Sequence, residues 1–322
     1  MRAYVLTENG PAVSEVERPE PGPADVLVEV RAAALNRADV HMAGGRFHGR
    51  AGGVGSVLGA EWSGVVVGTG PEVRDLAAGD RVMCSGRGAF AEYACTDFGR
   101  VLAMPPAMTF EQAAGLPIAL QTMHDAVVTH GELQAGQAVV VRGASSGVGL
   151  MGLQIAKARG ARLVVGTSGD PGRRGRLADF GADLAVDPGD PAWVDQVLAA
   201  TGGEGADLVV DQVAGPDFDQ AMRATRIEGR IVNVGRLGGQ REPFDFDLHA
   251  LRRITYVGVT FRTRSKDEVR EVNRRMRSDL EQDVETGRLS LPVDRVFGLD
   301  EATEALAHMA ANRHFGKVVL AV

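Results

Sequence analysis

Apolar residues change their period along this chain, and the change divides it. Up to about residue 120 they come in short β-rich runs parted by Gly and Pro: Val26-Leu27-Val28-Glu29-Val30, Ser63-Gly64-Val65-Val66-Val67-Gly68 and Asp80-Arg81-Val82-Met83. Runs of this kind predict a partly antiparallel, barrel-like domain with few helices. From about 121 to 260, helical stretches alternate with apolar strands instead. Val139-Val140-Val141 has the β-branched character of a parallel strand buried on both faces. A glycine-rich turn follows it, then a helix whose Leu150, Leu153, Ile155 and Ala156 supply an apolar face. Gly160 stops that helix, and Leu163-Val164-Val165 begins the next strand. Further strands are expected at Ala185-Val186, Asp207 to Asp211, Gly229 to Gly235 and Ile254 to Val259, which together make one doubly wound parallel sheet. Beyond it the pattern returns to a helix, Lys266 to Gly287, and a last strand, Gly316 to Leu320. The class is α/β: a doubly wound domain over 121–260 and a mostly β, partly barrel-like domain over 1–120, with a helix and a strand after 260.

The turn after the first parallel strand reads Gly143-Ala144-Ser145-Ser146-Gly147-Val148-Gly149. Small residues let the backbone approach a pyrophosphate, whose charge the free N–H groups and the dipole of the following helix stabilise. Ala144 and Ser146 depart from the strict G-x-G-x-x-G pattern, so the strand before the turn and the helix and strand after it carry the Rossmann assignment. At the end of the second strand an acid would hold the ribose of NAD. Here the chain has Thr167-Ser168-Gly169-Asp170-Pro171-Gly172-Arg173-Arg174. Hydroxyls and a guanidinium fork accept a 2′-phosphate that a carboxylate would repel, so NADPH is the expected cofactor, held by Thr167, Ser168, Arg173 and Arg174. Asp170 keeps NAD open, because a small shift of the turn would bring it to the ribose.

Composition excludes several function classes. The 322-residue chain carries a formal charge of −7, which argues against a nucleic-acid or anionic-membrane partner. The arginines of the Lys266–Gly287 helix are interleaved with acids, and Glu271 precedes Arg275 by one turn, as on a solvated face. Val269, Val272, Met276, Leu280 and Val284 form its apolar side. No apolar run approaches membrane-spanning length, and the first residues read as a strand rather than a signal peptide. Cys84 and Cys95 are the only cysteines, which fits a reducing, cytoplasmic location.

Several further segments occur in a telling order: Leu35-Asn36-Arg37-Ala38-Asp39, Leu58-Gly59-Ala60-Glu61-Trp62-Ser63-Gly64-Val65-Val66, Gly79-Asp80-Arg81-Val82 and Gly88-Ala89-Phe90-Ala91-Glu92-Tyr93. Ala113-Ala114-Gly115-Leu116-Pro117 leads on to Thr122, and Asn312-Arg313-His314-Phe315-Gly316-Lys317-Val318-Val319 ends the set. With the Gly143–Gly149 loop, they make nearly the whole chain resemble the medium-chain dehydrogenase/reductases, and within them the zinc-free quinone oxidoreductase (zeta-crystallin-like) branch. That resemblance implies a GroES-like fold for the β-rich domain, and that residues 261–322 return to join 1–120 in it. It implies that Asn36 lies beside nicotinamide and substrate and that Thr122 lines the cofactor site. Val234-Gly235 and Phe261-Arg262-Thr263 match segments running past the nicotinamide. Asn36 also reads as a plain turn-forming amide after a strand.

Zinc-dependent relatives carry a cysteine where this chain has Asn36 and a histidine where it has Ala60, together with a structural-zinc cysteine cluster. Zinc needs three or four converging ligands, so no metal is expected, although His41, His48, His124 and His130 are available as side chains. Without a Lewis acid for an alkoxide, reduction of an activated acceptor is easier to support. The expected activity is therefore NADPH-dependent hydride transfer to quinones or similar conjugated carbonyls, with an enoyl or alkenal reductase as the alternative. An NADPH-binding sensor or structural protein with little turnover is the reading of another class. His41 and Phe47 stand where relatives often have tyrosines, which makes His41 a candidate proton donor; Pro188 stands where a cofactor-side tyrosine is expected. The resemblance also implies a homodimer, in which a strand from Ile254 to Phe261 at the sheet edge would pair with a second copy.

Overall fold

The structure is a computed structural model and describes residues 1–47 and 52–322. The chain forms two compact units, Met1–Ile118 with Phe261–Val322, and Ala119–Thr260.

The first unit opens with an antiparallel hairpin, β1 (Arg2–Thr7) and β2 (Gly10–Glu15). Then come β3 (Asp25–Ala34), α1 (Arg37–Ala43), β4 (Glu61–Thr69), β5 (Arg81–Ser85), β6 (Tyr93–Asp97), β7 (Val101–Ala103), α2 (Phe110–Ala114) and α3 (Pro117–His124). β3 is antiparallel to both β4 and β6 and organises this unit. Its register against β4 shifts at Leu27/Val28 and again at Val30/Ala32, irregularities that bend a sheet towards a barrel. Gly64 sits at this crowded pairing: a β-carbon there would lie 2.0 Å from the Glu29 carbonyl oxygen. Tyr4, Leu35, Leu58, Trp62 and Phe90 fill the core beneath.

In the second unit α3 runs on as a π-helical turn, Asp125–Thr129. There follow β8 (Ala138–Arg142), α4 (Gly147–Ala158), β9 (Leu163–Thr167), α5 (Pro171–Arg174), β10 (Leu184–Val186), α6 (Trp193–Ala200), β11 (Ala206–Asp211), α7 (Phe218–Ala224), β12 (Thr225–Asn233), α8 (Phe246–Arg252) and β13 (Thr255–Gly258). The strands pair in parallel in the order β10-β9-β8-β11-β12-β13. The chain steps outward from β8 to β10, then returns to lay β11 on the free side of β8. That reversal is the topological switch point, outside whose carboxyl ends such sheets bind ligands. Val139, Val140 and Val141 have no exposed surface, as their unbroken apolar run requires.

The chain then re-enters the first unit through α9 (Lys266–Glu285), β14 (Val293–Gly298), α10 (Ala302–Ala310) and β15 (Lys317–Ala321). β15 is antiparallel to β3 and parallel to β14, completing a sheet in the order β14-β15-β3-β4-β5-β7 with β6 also on β3. The apolar side of α9 is buried as its pattern demands. Arg270 clamps the helix down, its guanidinium donating to both oxygens of Asp97 at 2.9 and 2.7 Å. The last strand of the second unit is shorter than the sequence pattern suggests, ending at Gly258 with Phe261 beyond it, and β13 is the edge of its sheet.

Candidate active site

At the switch point the glycine-rich loop is braced from beneath. Arg142 ends β8 and Asp211 ends β11; both are fully buried, and Arg142 Nη1 donates to Asp211 Oδ2 at 3.1 Å. The other Asp211 oxygen accepts the backbone N–H groups of Val213 and Ala214 at 2.9 and 3.1 Å. Gln212 Nε2 donates to the Arg142 and Gly143 carbonyls (3.1 and 3.2 Å), while Ser146 Oγ donates to Gln212 Oε1 (3.2 Å). Ser146 is the N-cap of α4 and accepts from the Gly149 N–H at 3.0 Å. The N–H groups of Gly147 and Val148 open the helix, where no earlier carbonyl of the helix reaches them. Gly143 takes a φ of +72°, and a β-carbon on Gly149 would lie 2.6 Å from the Gly143 carbonyl oxygen. After β12, Val234 and Gly235 fold over β11: the Val234 N–H donates to the Asp211 carbonyl at 2.7 Å, and a β-carbon on Gly235 would be 2.4 Å from the Gln212 carbonyl. The loop is thus a narrow cradle at a helix N-terminus, shaped to accept the two phosphates of a dinucleotide.

At the end of β9 the hydroxyls have partners. Thr167 is buried and its Oγ1 accepts the Gly143 N–H at 3.1 Å; Ser168 Oγ donates to Ser145 Oγ at 3.1 Å. Both therefore fasten the glycine-rich loop to β9. The arginines diverge as well. Arg174 Nη1 donates to the Ser168 carbonyl (2.8 Å) and to Asp187 Oδ2 (3.0 Å). Asp170 caps α5 by accepting the Arg173 N–H at 2.7 Å, and that bond chiefly holds its carboxyl below the usual range. The Arg173 guanidinium lies 3.7 Å from the Asp170 carboxylate, the looser of the two arginine pairings.

In the first unit a second polar cluster gathers where β3 gives way to α1. Glu61 and Lys317 are buried and ion-paired, and both touch the half-buried Asn36. Asn36 Nδ2 donates to Glu61 Oε1 at 3.0 Å, and Lys317 Nζ donates to Asn36 Oδ1 at 3.1 Å. The second Glu61 oxygen accepts the Ile118 N–H at 2.9 Å, and the Asn36 N–H donates to Asp39 Oδ2 at 2.7 Å. Burial pushes the Asp39 carboxyl up to about 7, against the Asn36 hydrogen bond and the Lys317 charge, which act the other way.

The remaining sequence-derived candidates lie on several elements. His41 lies on α1, exposed to solvent, and Phe47 is exposed too. Thr122 is half-buried on α3; Phe261 carries the Arg264 guanidinium 5.0 Å above its ring centre, and Arg262 and Thr263 beside it are exposed. His48 lies outside the described residues. Among the described residues no three His, Cys, Asp or Glu side chains come together as a metal site would need. Sequence reasoning gave no role to Arg142, Asp211, Gln212, Glu61 or Lys317. The signal was present for the first two: a charged residue ends each of the apolar, buried runs Val139-Val140-Val141 and Leu208-Val209-Val210, and such charges stay inside only when paired.

Two family models match the chain: "Zinc-binding dehydrogenase" over residues 147–278 and "Alcohol dehydrogenase GroES-like domain" over residues 22–106. A crystal structure of an NAD-dependent alcohol dehydrogenase is 32% identical, covers 100% of both chains and superposes with a TM-score of 0.88. The chain belongs to the medium-chain dehydrogenase/reductase superfamily. Its two units are accordingly a GroES-like domain and a Rossmann domain, and this superfamily works with a nicotinamide cofactor. The Pseudomonas syringae quinone oxidoreductase structure is 25% identical over 100% of both chains, with a TM-score of 0.87. Among curated relatives, the mycocerosic acid synthase-like polyketide synthase of Mycobacterium tuberculosis is 29% identical over 307 residues, 95% of this chain. This medium-chain dehydrogenase/reductase spans only 14% of the length of that relative.

Proposed function

We propose that this protein is a zinc-independent, NADPH-dependent reductase of quinones or similar conjugated carbonyls. The carrying observation is the Asn36–Glu61–Lys317 cluster. At the positions where zinc-dependent relatives have cysteine and histidine, this chain has Asn36 and Ala60, and the neighbouring Glu61 carboxylate is engaged by a buried ammonium. This donor set does not fit a zinc ion, which binds thiolate, imidazole and carboxylate and is repelled by a cation at contact distance. The full-length likeness to a quinone oxidoreductase supports the choice of acceptor.

The cradle of Gly143 to Gly149 fits a dinucleotide, because Gly149 leaves no room for a β-carbon, Gly143 takes a positive φ and α4 starts at the loop. Arg173 would hold the adenosine 2′-phosphate, while Arg174, tied to Ser168 and Asp187, shapes the turn; Thr167 and Ser168 act through the loop they fasten. When bound, the nicotinamide supplies a hydride. A conjugated acceptor spreads the charge left by hydride arrival, so the protein's task is orientation and a few hydrogen bonds. In the first unit Asn36 and the segment from Phe261 to Thr263 would serve the reacting groups, and in the second unit Thr122, Val234 and Gly235 would. The proton comes from water or from His41, whose ring is exposed to solvent. A homodimer formed along the β13 edge is part of this reading.

The polyketide synthase relative favours a second reading, reduction of the carbon–carbon double bond of an enoyl thioester or alkenal. NADPH and NADH oxidation, followed by absorbance against an ortho-quinone and a conjugated alkenal with and without a chelator, separates the two. Chelator-insensitive NADPH loss with the quinone supports the first, and turnover of the alkenal alone supports the second. Tight NADPH binding without turnover of either contradicts both.

A further inference from the structure

The polarity of the Asn36 side chain is fixed by its neighbours. An ammonium only donates hydrogen bonds and a carboxylate only accepts them. The end of the amide facing Lys317 Nζ, at 3.1 Å, must therefore be Oδ1, and the end facing Glu61 Oε1, at 3.0 Å, must be Nδ2. Rotating the amide by half a turn would set N–H against ammonium and oxygen against carboxylate. The pair that imposes this choice is itself immobile: Glu61 is 0% and Lys317 4% exposed, and the Ile118 N–H holds the second Glu61 oxygen at 2.9 Å. The other Nδ2 hydrogen faces the Ala34 carbonyl at 3.5 Å. Both donors of the amide are thus turned inward, and what Asn36 has left for a ligand is a lone pair on Oδ1.

We propose that Lys317 and Glu61 are positioning residues that hold Asn36 as a hydrogen-bond acceptor, so that it meets an N–H or O–H donor of its ligand and not a carbonyl oxygen. This rests on the reading that Asn36 touches the ligands of the reductase. Two donors share the required chemistry: the carboxamide of the nicotinamide, and the hydroxyl of the reduced product. Asn36 is then no oxyanion-stabilising donor, and the charge arriving on a quinone oxygen is met by other groups.

The first test needs no activity. The side-chain NH2 of Asn36 is followed by NMR in the cofactor-free, full-length protein, in wild type and in Glu61→Gln/Lys317→Met. Replacing both partners avoids leaving one charge buried and unpaired. Slow rotation and slow hydrogen exchange of the amide in wild type, both lost in the variant, are expected. Fast exchange in wild type overturns the inference whatever the enzyme turns over.

The second test is a kinetic cycle with NADPH and an ortho-quinone. Asn36→Ala and Glu61→Gln/Lys317→Met should each lower kcat roughly tenfold, and the triple variant should fall no further, because the pair acts only through Asn36. Lys317→Arg, which keeps the cation, should restore most of the rate. Falls that multiply in the triple variant, as two unrelated structural defects would give, overturn the proposal; so does an unchanged rate in the double variant. With the 3-acetylpyridine analogue of NADPH, which lacks the carboxamide N–H, the Asn36 penalty disappears if the carboxamide is the donor and persists if the product hydroxyl is. A wild type that turns over neither quinone nor alkenal defeats the functional reading instead, and the NMR result then decides the inference alone.

Discussion

Single positions carry much of the chemistry here, and they do so through packing. Gly149 has backbone on every side: an added β-carbon would meet the Gly143 oxygen at 2.6 Å and Ala144 Cα at 2.7 Å, and neither can swing aside as a side chain would. Gly149→Ala should open the loop, raising the NADPH Kd tenfold or more in a fluorescence titration while costing about 1–3 kcal/mol of stability. A wild-type Kd would mean the loop does not hold the dinucleotide. Asp39 tests the polar cluster by pH. Its folded carboxyl titrates near 7, above the usual carboxylate value of about 3.9. Between those values the folded chain keeps a proton that the unfolded chain has lost, so Asp39 erodes stability as pH rises, fully above about 7. Asp39→Asn keeps an acceptor for the Asn36 N–H and removes the titration. Its melting temperature should gain on wild type between pH 5 and pH 8, and a gap independent of pH would refute the assignment. Both clusters were half legible in the sequence. The glycines stood out by their spacing, whereas Lys317 lies far from Asn36 and Glu61 in the chain, and only the pairing of β15 with β3 and of β3 with β4 brings the three together.

Elements were legible where one force shaped them. The parallel strands showed because both faces are buried, and α9 showed because one face is apolar and the other charged. α10 and β14 escaped because their burial depends on the returning chain: Ala302, Ala305, Leu306 and Met309 join a core otherwise assembled from the first 101 residues and the last strands. The hydroxyls closing β9 read from sequence as ligands of a phosphate, and in the fold they also tie the loop to the strand, a second role that spacing alone does not show. The two arginines of the short helix α5 have different partners, and the proposed function gives them different roles. Arg173→Ala should lower the NADPH-over-NADH ratio of kcat/KM about tenfold, and Arg174→Ala should weaken both cofactors alike. Equal losses from the two variants would contradict that division. Asp97 fastens α9 through Arg270 and accepts the Gly99 N–H at 3.0 Å. Asp97→Ala should cost about 2 kcal/mol, less than for a fully buried pair because Arg270 is partly exposed. Urea unfolding followed by Trp62 fluorescence in a Trp193→Phe background reads that loss, and an unshifted midpoint would show that the clamp holds nothing.

For the molecule as a whole, the order of parts along the chain was readable because each of the two domains has its own hydrophobic period. Among the described residues no helix is long and apolar enough to cross a membrane. β13 closes one side of its sheet with Tyr256 and the nearby Phe246 and Leu251 exposed, a surface that invites strand pairing. Light scattering on the purified protein should therefore give twice the chain mass, and a monomer would exclude that pairing. Function was legible only to the level of hydride transfer, since one scaffold serves several acceptors and the acceptor is chosen by a few side chains. In the proposed function Asn36, Glu61 and Lys317 stand where a metal would otherwise act, and the protein reduces conjugated acceptors without one. The most direct test is NADPH oxidation with an ortho-quinone after exhaustive chelation. Undiminished turnover, with NADPH preferred to NADH, is expected. Loss of activity on chelation, restored by zinc, would contradict it.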